Sequence, residues 1–170
     1  MGDFRPSEPE GHGSGADEAI DCELLSLNAQ LCFALYSTSR SMTAAYRPFL
    51  EDMRLTYPQY LVLLALWERP GITMKELGEQ IHLDYGTVSP LVQRLQARGL
   101  VDSARSPADG RAVVLHATPA SLELRHGAQH MIQTVLDVVG IPVDGIEALR
   151  DQVKALGARL DAVVAHQRGR

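Results

Sequence analysis

The stretch from Thr73 to Ala117 constrains the fold of this chain more than any other. Two helical patterns separated by only three residues, His82-Leu83-Asp84, run directly into two short apolar segments around a cluster of chain breakers. So short a connection forces the two helices to pack on each other, and a hairpin that follows at once must fold back on the pair. Thr73 and Glu76 have the spacing of a capping box and open the first helix, Met74 to about Ile81. In the second helix Val88, Leu91, Val92 and Leu95 recur at i, i+3, i+4 and i+7 and form one buried stripe, with Gly99 as the stop. Thr87, Ser89, Gln93, Arg94 and Gln96 lie off that stripe, on a face that carries no acid. Pro90 is tolerated early in this helix if regular structure begins at Gly86 or Thr87, which places the helix over Gly86 to Arg98. Leu100 to Arg105 and Arg111 to Ala117 then flank Ser106-Pro107-Ala108-Asp109-Gly110, the pattern of a β-hairpin.

The remaining sequence is predominantly helical. Leu24, Leu27, Leu31 and Leu35 repeat at helical spacing and predict an amphipathic helix to about Ala45, interrupted at Tyr46-Arg47-Pro48 and followed by a short helical segment to Met53. Thr56 caps an apolar helix from about Tyr60 to Glu68, which belongs at the centre of the core because no face of it suits water. Thr118-Pro119 opens a helix to about Val139, and Pro142 opens a last one to about His166. The fold class is therefore mainly α with a small β-hairpin. Residues 1–20 read as a disordered acidic leader, 21–56 as N-terminal dimerisation helices, 57–118 as a DNA-binding region and 119–170 as C-terminal dimerisation helices.

Helix, three-residue turn, helix and basic-tipped hairpin form a winged helix-turn-helix, in which the second helix enters the major groove of double-stranded DNA and the wing reaches its backbone or minor groove. Thr87 and Ser89 suit phosphates or base edges, Gln93 matches adenine and Arg94 matches guanine; Arg105, Asp109 and Arg111 make the wing tip. Charge sets a limit on this reading. The chain has a formal net charge of -5, but seven acids and one base fall in residues 1–23, leaving 15 bases against 14 acids in the rest. With residues 57–118 also balanced, affinity must come from local arrangement and from a two-fold dimer that reads two half-sites of an operator. The terminal helices are the dimer material. No signal-peptide pattern and no apolar run long enough for a bilayer is seen, so the expected location is cytoplasmic, without membrane contact. Metal-ligand spacing, carboxylate pairs and phosphate loops are absent from the sequence, which argues against an enzyme, including a thiol peroxidase, and against any cofactor or metal.

Over residues 24–166 the sequence resembles the MarR family of transcriptional regulators, through Asp109-Gly110-Arg111 followed by an apolar strand and Thr118. Leu31-Cys32-Phe33-Ala34-Leu35-Tyr36, Tyr46-Arg47-Pro48, Leu55-Thr56-Tyr57-Pro58-Gln59-Tyr60 and Leu83-Asp84-Tyr85-Gly86-Thr87 are similar, more narrowly, to the organic hydroperoxide resistance regulators, OhrR. The resemblance implies a homodimeric repressor in which Cys32 senses organic hydroperoxides, Tyr36 and Tyr46 bond the reactive sulfur across the dimer, and oxidation releases the operator. A thiolate is the nucleophile that attacks a peroxide, and phenolic donors stabilise such an anion. Two features depart from the pattern: no cysteine follows Cys32, and Tyr85 stands where a small hydroxyl residue is usual. Were Cys22 and Cys32 in one continuous helix, about 15 Å would separate them, too far for a disulfide, so a small cellular thiol is the expected partner of oxidised Cys32. The alternative is a MarR-type regulator whose dimer cleft binds a phenolic or other small ligand, with Cys32 structural.

Overall fold

The computed structural model describes residues 25–106, 110 and 112–168. The expected acidic leader, Cys22, Asp109 and Arg111 lie outside the described residues. The chain divides into two compact units, Met1–Ala44 and Ala45–Arg170.

In the first unit a 3-10 turn, Leu27–Ala29, precedes helix α1, Leu31–Asp52, which continues into the second unit. Two expectations are corrected here. The helix does not reach back to Leu24: the Ser26 hydroxyl caps a single turn by accepting from the Ala29 N–H, and Gln30 is extended (φ -79°, ψ 112°). The assumption of one continuous helix from Cys22 to Cys32 therefore fails, and with it the distance argument against their pairing. Nor do Tyr46-Arg47-Pro48 break the helix: Pro48 lies inside α1, where it withholds the N–H that would meet the Ala44 carbonyl.

The second unit is built around α2, Tyr57–Glu68. Thr56 and Gln59 close a reciprocal capping box at its start, Pro58 sits in the first turn, and Tyr60, Val62, Leu63, Ala65 and Leu66 are buried. Around it pack Leu77 of α3 (Met74–Ile81), the Val88, Val92 and Leu95 stripe of α4 (Tyr85–Ala97), and Ala128 and Met131 of α5 (Pro119–Val139). The last helix, α6, spans Val143–Arg168. The recognition helix begins at Tyr85, not Gly86, because Asp84 is extended (ψ 160°) and its carboxylate serves as the N-cap. Pro90 sits inside it and withholds the N–H that would meet the Gly86 carbonyl.

The expected two-stranded hairpin is a three-stranded antiparallel sheet of order β1-β3-β2: β1 is Ile72–Thr73, β2 Val101–Arg105 and β3 Val113–Ala117. Ile72 and Ser103 both register with Leu115, one from each side. Two residues are too few to show an alternating pattern, so β1 has no periodic signal in the sequence. Gly71 (φ 79°) starts it, donating its N–H to the Leu115 carbonyl at 3.0 Å.

Candidate nucleic-acid interface and cysteine helix

The turn between α3 and α4 is held by main-chain geometry. His82 caps α3 in the left-handed region (φ 54°), and the Leu83 N–H donates to the Gly78 carbonyl at 2.9 Å. A Cβ on Gly78 would stand 2.8 Å from the Leu83 carbonyl oxygen, so only glycine lets the chain turn this closely against α3. Asp84 then opens α4: its carboxylate accepts the Thr87 N–H at 3.0 Å and the Thr87 hydroxyl at 2.9 Å. These bonds, the Thr87 hydroxyl first, hold the Asp84 carboxyl below its ordinary range.

With Val88, Val92 and Leu95 buried, α4 presents Pro90, Gln93, Arg94 and Ala97 to solvent, with Ser89 half-buried at the edge. Gln93 and Arg94 therefore stand on the outward face as expected, whereas the Thr87 hydroxyl is already donated to Asp84 and offers only its lone pairs. Tyr85, 68 % exposed in the first turn, adds an aromatic group to the same helix. Arg98 leaves this face altogether: its guanidinium donates to the carbonyls of Met53 and Arg54. In the wing, Arg105 is exposed and donates from Nη1 to the Gly110 carbonyl at 2.8 Å, which ties the end of β2 across the tip. Ser106 N–H donates to the Ala112 carbonyl at 2.8 Å and closes the base of that tip.

Cys32 is exposed in the first turn of α1, the end of a helix at which anionic charge is favoured. Tyr36 follows one turn later, and its ring lies under the Arg40 guanidinium at 5.6 Å while its hydroxyl accepts from Arg40 Nη1 at 3.1 Å. The Tyr36 oxygen is thus engaged as an acceptor and its own O–H remains a donor. Among the described residues the Cys32 sulfur takes no hydrogen bond. In the second unit Tyr46 begins a row of rings: it stacks on Tyr57 at 6.0 Å, Tyr57 meets Tyr60 at 6.3 Å, and Tyr60 meets Trp67 at 6.4 Å. Burial raises the hydroxyls of Tyr46 and Tyr57 and pushes Tyr60 up to about 12, so all three are O–H donors at neutral pH. Trp67 anchors the row by donating Nε1–H to the Ser121 hydroxyl at 2.8 Å.

A capped helix with an acid-free outward face, a glycine-dependent tight turn before it and a β2-β3 hairpin after it, joined by β1 into one sheet, define a winged helix-turn-helix DNA-binding protein. Residues 55–112 match the MarR family. Over 144 residues the chain is 39% identical to the organic hydroperoxide resistance transcriptional regulator of Bacillus subtilis, covering 85% of this chain and 95% of that protein. It is 41% identical over 137 residues to the HTH-type transcriptional regulator TtmR of Methylorubrum extorquens, covering 81% and 70% respectively. Among solved structures, reduced AbfR bound to DNA, a Staphylococcus epidermidis protein, superimposes with a TM-score of 0.66 at 28% identity over 82% of this chain and 98% of that one. The chain belongs to the MarR family: it is a DNA-binding regulator and not an enzyme. Among the described residues no helix is long and apolar enough to cross a membrane.

Proposed function

We propose that this protein is a homodimeric repressor that holds operator DNA while Cys32 is reduced and releases it when an organic hydroperoxide oxidises that residue. The observation that carries the reading is the exposed Cys32 in the first turn of α1, in a chain so similar to a hydroperoxide-resistance regulator. The Cys32 thiolate attacks the outer oxygen of the hydroperoxide, the O–O bond breaks, and the alkoxide leaves as an alcohol after taking a proton; Cys32 becomes a sulfenic acid. A small cellular thiol then displaces water from that sulfur and forms a mixed disulfide. Tyr36 and Tyr46 act as hydroxyl donors to the sulfur across the dimer. On the DNA side Gln93 and Arg94 read bases, Thr87 and Ser89 contact phosphate or base edges, and the wing-tip residues Arg105, Asp109 and Arg111 meet the backbone or minor groove.

The test is a comparison of wild type with Cys32→Ser on a duplex selected from a random library by the reduced protein. Loss of hydroperoxide response with intact binding supports the sensor. A retained response transfers the function to a small ligand, for which the groove of about 350 Å³ between α2 and α5, lined by Tyr60, Leu64, Trp67, Glu68, Arg125 and Ile132, has aromatic walls and one charge of each sign.

A further inference from the structure

Arg98 caps α4, and its side chain is bonded to main chain 44 and 45 residues earlier. Nη1 donates to the Arg54 carbonyl, and Nη2 donates to the Met53 carbonyl at 3.2 Å. Both carbonyls lie in the turn just past the end of α1. That helix stops at Asp52, Arg54 turns into the left-handed region (φ 55°), and the Leu55 N–H returns to the Leu50 carbonyl at 2.8 Å. Carbonyls past a helix end have no donor within the helix, and a planar guanidinium satisfies two of them at once in fixed geometry. Met53 also faces the long helix α5, where a Cβ on Gly127 would lie 3.4 Å from its sulfur. One short junction therefore touches α5 and holds the end of the recognition helix.

The rest of α4 is held by burial of Val88, Val92 and Leu95, and apolar contact is non-directional. The fork from Arg98 is directional and fixes where the end of α4 stands relative to Met53 and Arg54. We infer that Arg98 is a positioning residue that couples the end of α1 to the recognition helix. A shift of α1 reaches α4 through these two hydrogen bonds, and DNA held on α4 steadies the end of α1 in return, because coupling between two sites is reciprocal. Only the direction of the signal, from Cys32 outward, rests on the sensor reading; the coupling itself does not.

Backbone amide exchange of the full-length protein, with and without the duplex selected by the reduced wild type, tests this. On binding DNA the wild type should slow exchange at residues 50–55 by about tenfold, a response typical of coupled sites. Arg98→Ala should keep the slowing within α4 and lose it at residues 50–55; Arg98→Lys, which retains charge without the fork, should keep only part of it. A merely structural role would raise exchange equally with and without DNA and leave the ratio unmoved. An unmoved ratio in Arg98→Ala, or no slowing at residues 50–55 in the wild type, overturns the coupling. If Arg98→Ala does not fold, Arg98→Lys and Arg98→Gln decide by the same ratio. Cumene hydroperoxide with a small thiol is then added to the DNA complex: a wild type that keeps its DNA sinks the sensor reading alone, since the exchange ratio has been measured without oxidant.

Discussion

Arg94 and Arg98 lie four residues apart on the recognition helix, yet the fold gives them unrelated partners. Arg94 projects from the exposed face, while Arg98 is bonded to two carbonyls of the turn that follows α1. Arg94→Ala is expected to cost about 1–3 kcal/mol of operator affinity and to relax base preference at one position, read by titrating the protein against base-substituted duplexes. Equal losses on every duplex would make it a phosphate contact instead. Asp84 and Glu76 carry a second expectation. Hydrogen bonds from Thr87 lower Asp84, and hydrogen bonds from the Thr73 main chain and side chain lower Glu76. A carboxylate lowered in the folded state adds stability that is complete above its unfolded value and is lost as pH falls through the folded one. Denaturation midpoints should therefore decline below about pH 4, the ordinary carboxylate range, and Asp84→Asn should flatten that decline. An identical pH profile for the variant would assign the acid sensitivity to other carboxylates.

At the scale of elements, the turn between α3 and α4 depends on one small residue and one strained one. In a helix, glycine to alanine ordinarily stabilises by roughly 0.5–1 kcal/mol. Gly78→Ala should reverse that sign, because its Cβ would meet the Leu83 carbonyl oxygen at 2.8 Å, and thermal unfolding of the variant should fall below that of the wild type. His82→Gly should move the other way, since the left-handed position at φ 54° suits glycine. The N-cap at Thr56, the capping box at Thr73, the three-residue turn and the stripe of α4 were all legible in the sequence, because each is made by residues within one or two helical turns. The start of α1 and the role of Pro48 were not. The leucine repeat continues through Leu27, but the Ser26 cap and extended Gln30 compete locally with a helix there. Pro48 forfeits one hydrogen bond, and burial of Leu50 with packing of Tyr46 and Phe49 on the core favours continuing the helix through it.

For the whole molecule, the proposed homodimer would place its seam on α6. Leu149, Val153, Leu160 and Val163 recur at helical spacing and are each more than 40 % exposed, an apolar stripe suited to a second copy of the chain. Leu160→Glu combined with Val153→Glu should yield a folded monomer with greatly weakened DNA binding, seen by sedimentation together with a duplex titration. A variant that remains dimeric would move the seam elsewhere. On the sensor side, Tyr36→Phe and Tyr46→Phe should each slow oxidation of Cys32 while leaving binding by the reduced protein intact, followed as loss of free thiol over time. Rates equal to the wild type would leave both rings as packing.

The sequence by itself determined the helix-turn-helix, the apolar α2 at the centre, the wing after Gly99 and the outward placement of Gln93 and Arg94. Each follows from spacing, capping or periodicity over a short run of chain, where backbone geometry permits few arrangements. Tertiary structure alone decided that Ile72 and Thr73 form a third strand, that Tyr46 joins a row of rings ending at Trp67, and that Arg98, though exposed, bonds the carbonyls just past α1. In those cases the partner is distant in sequence, as with Ile72 and Leu115 or Arg98 and Met53, and a side chain's choice between water and a remote carbonyl leaves no local pattern.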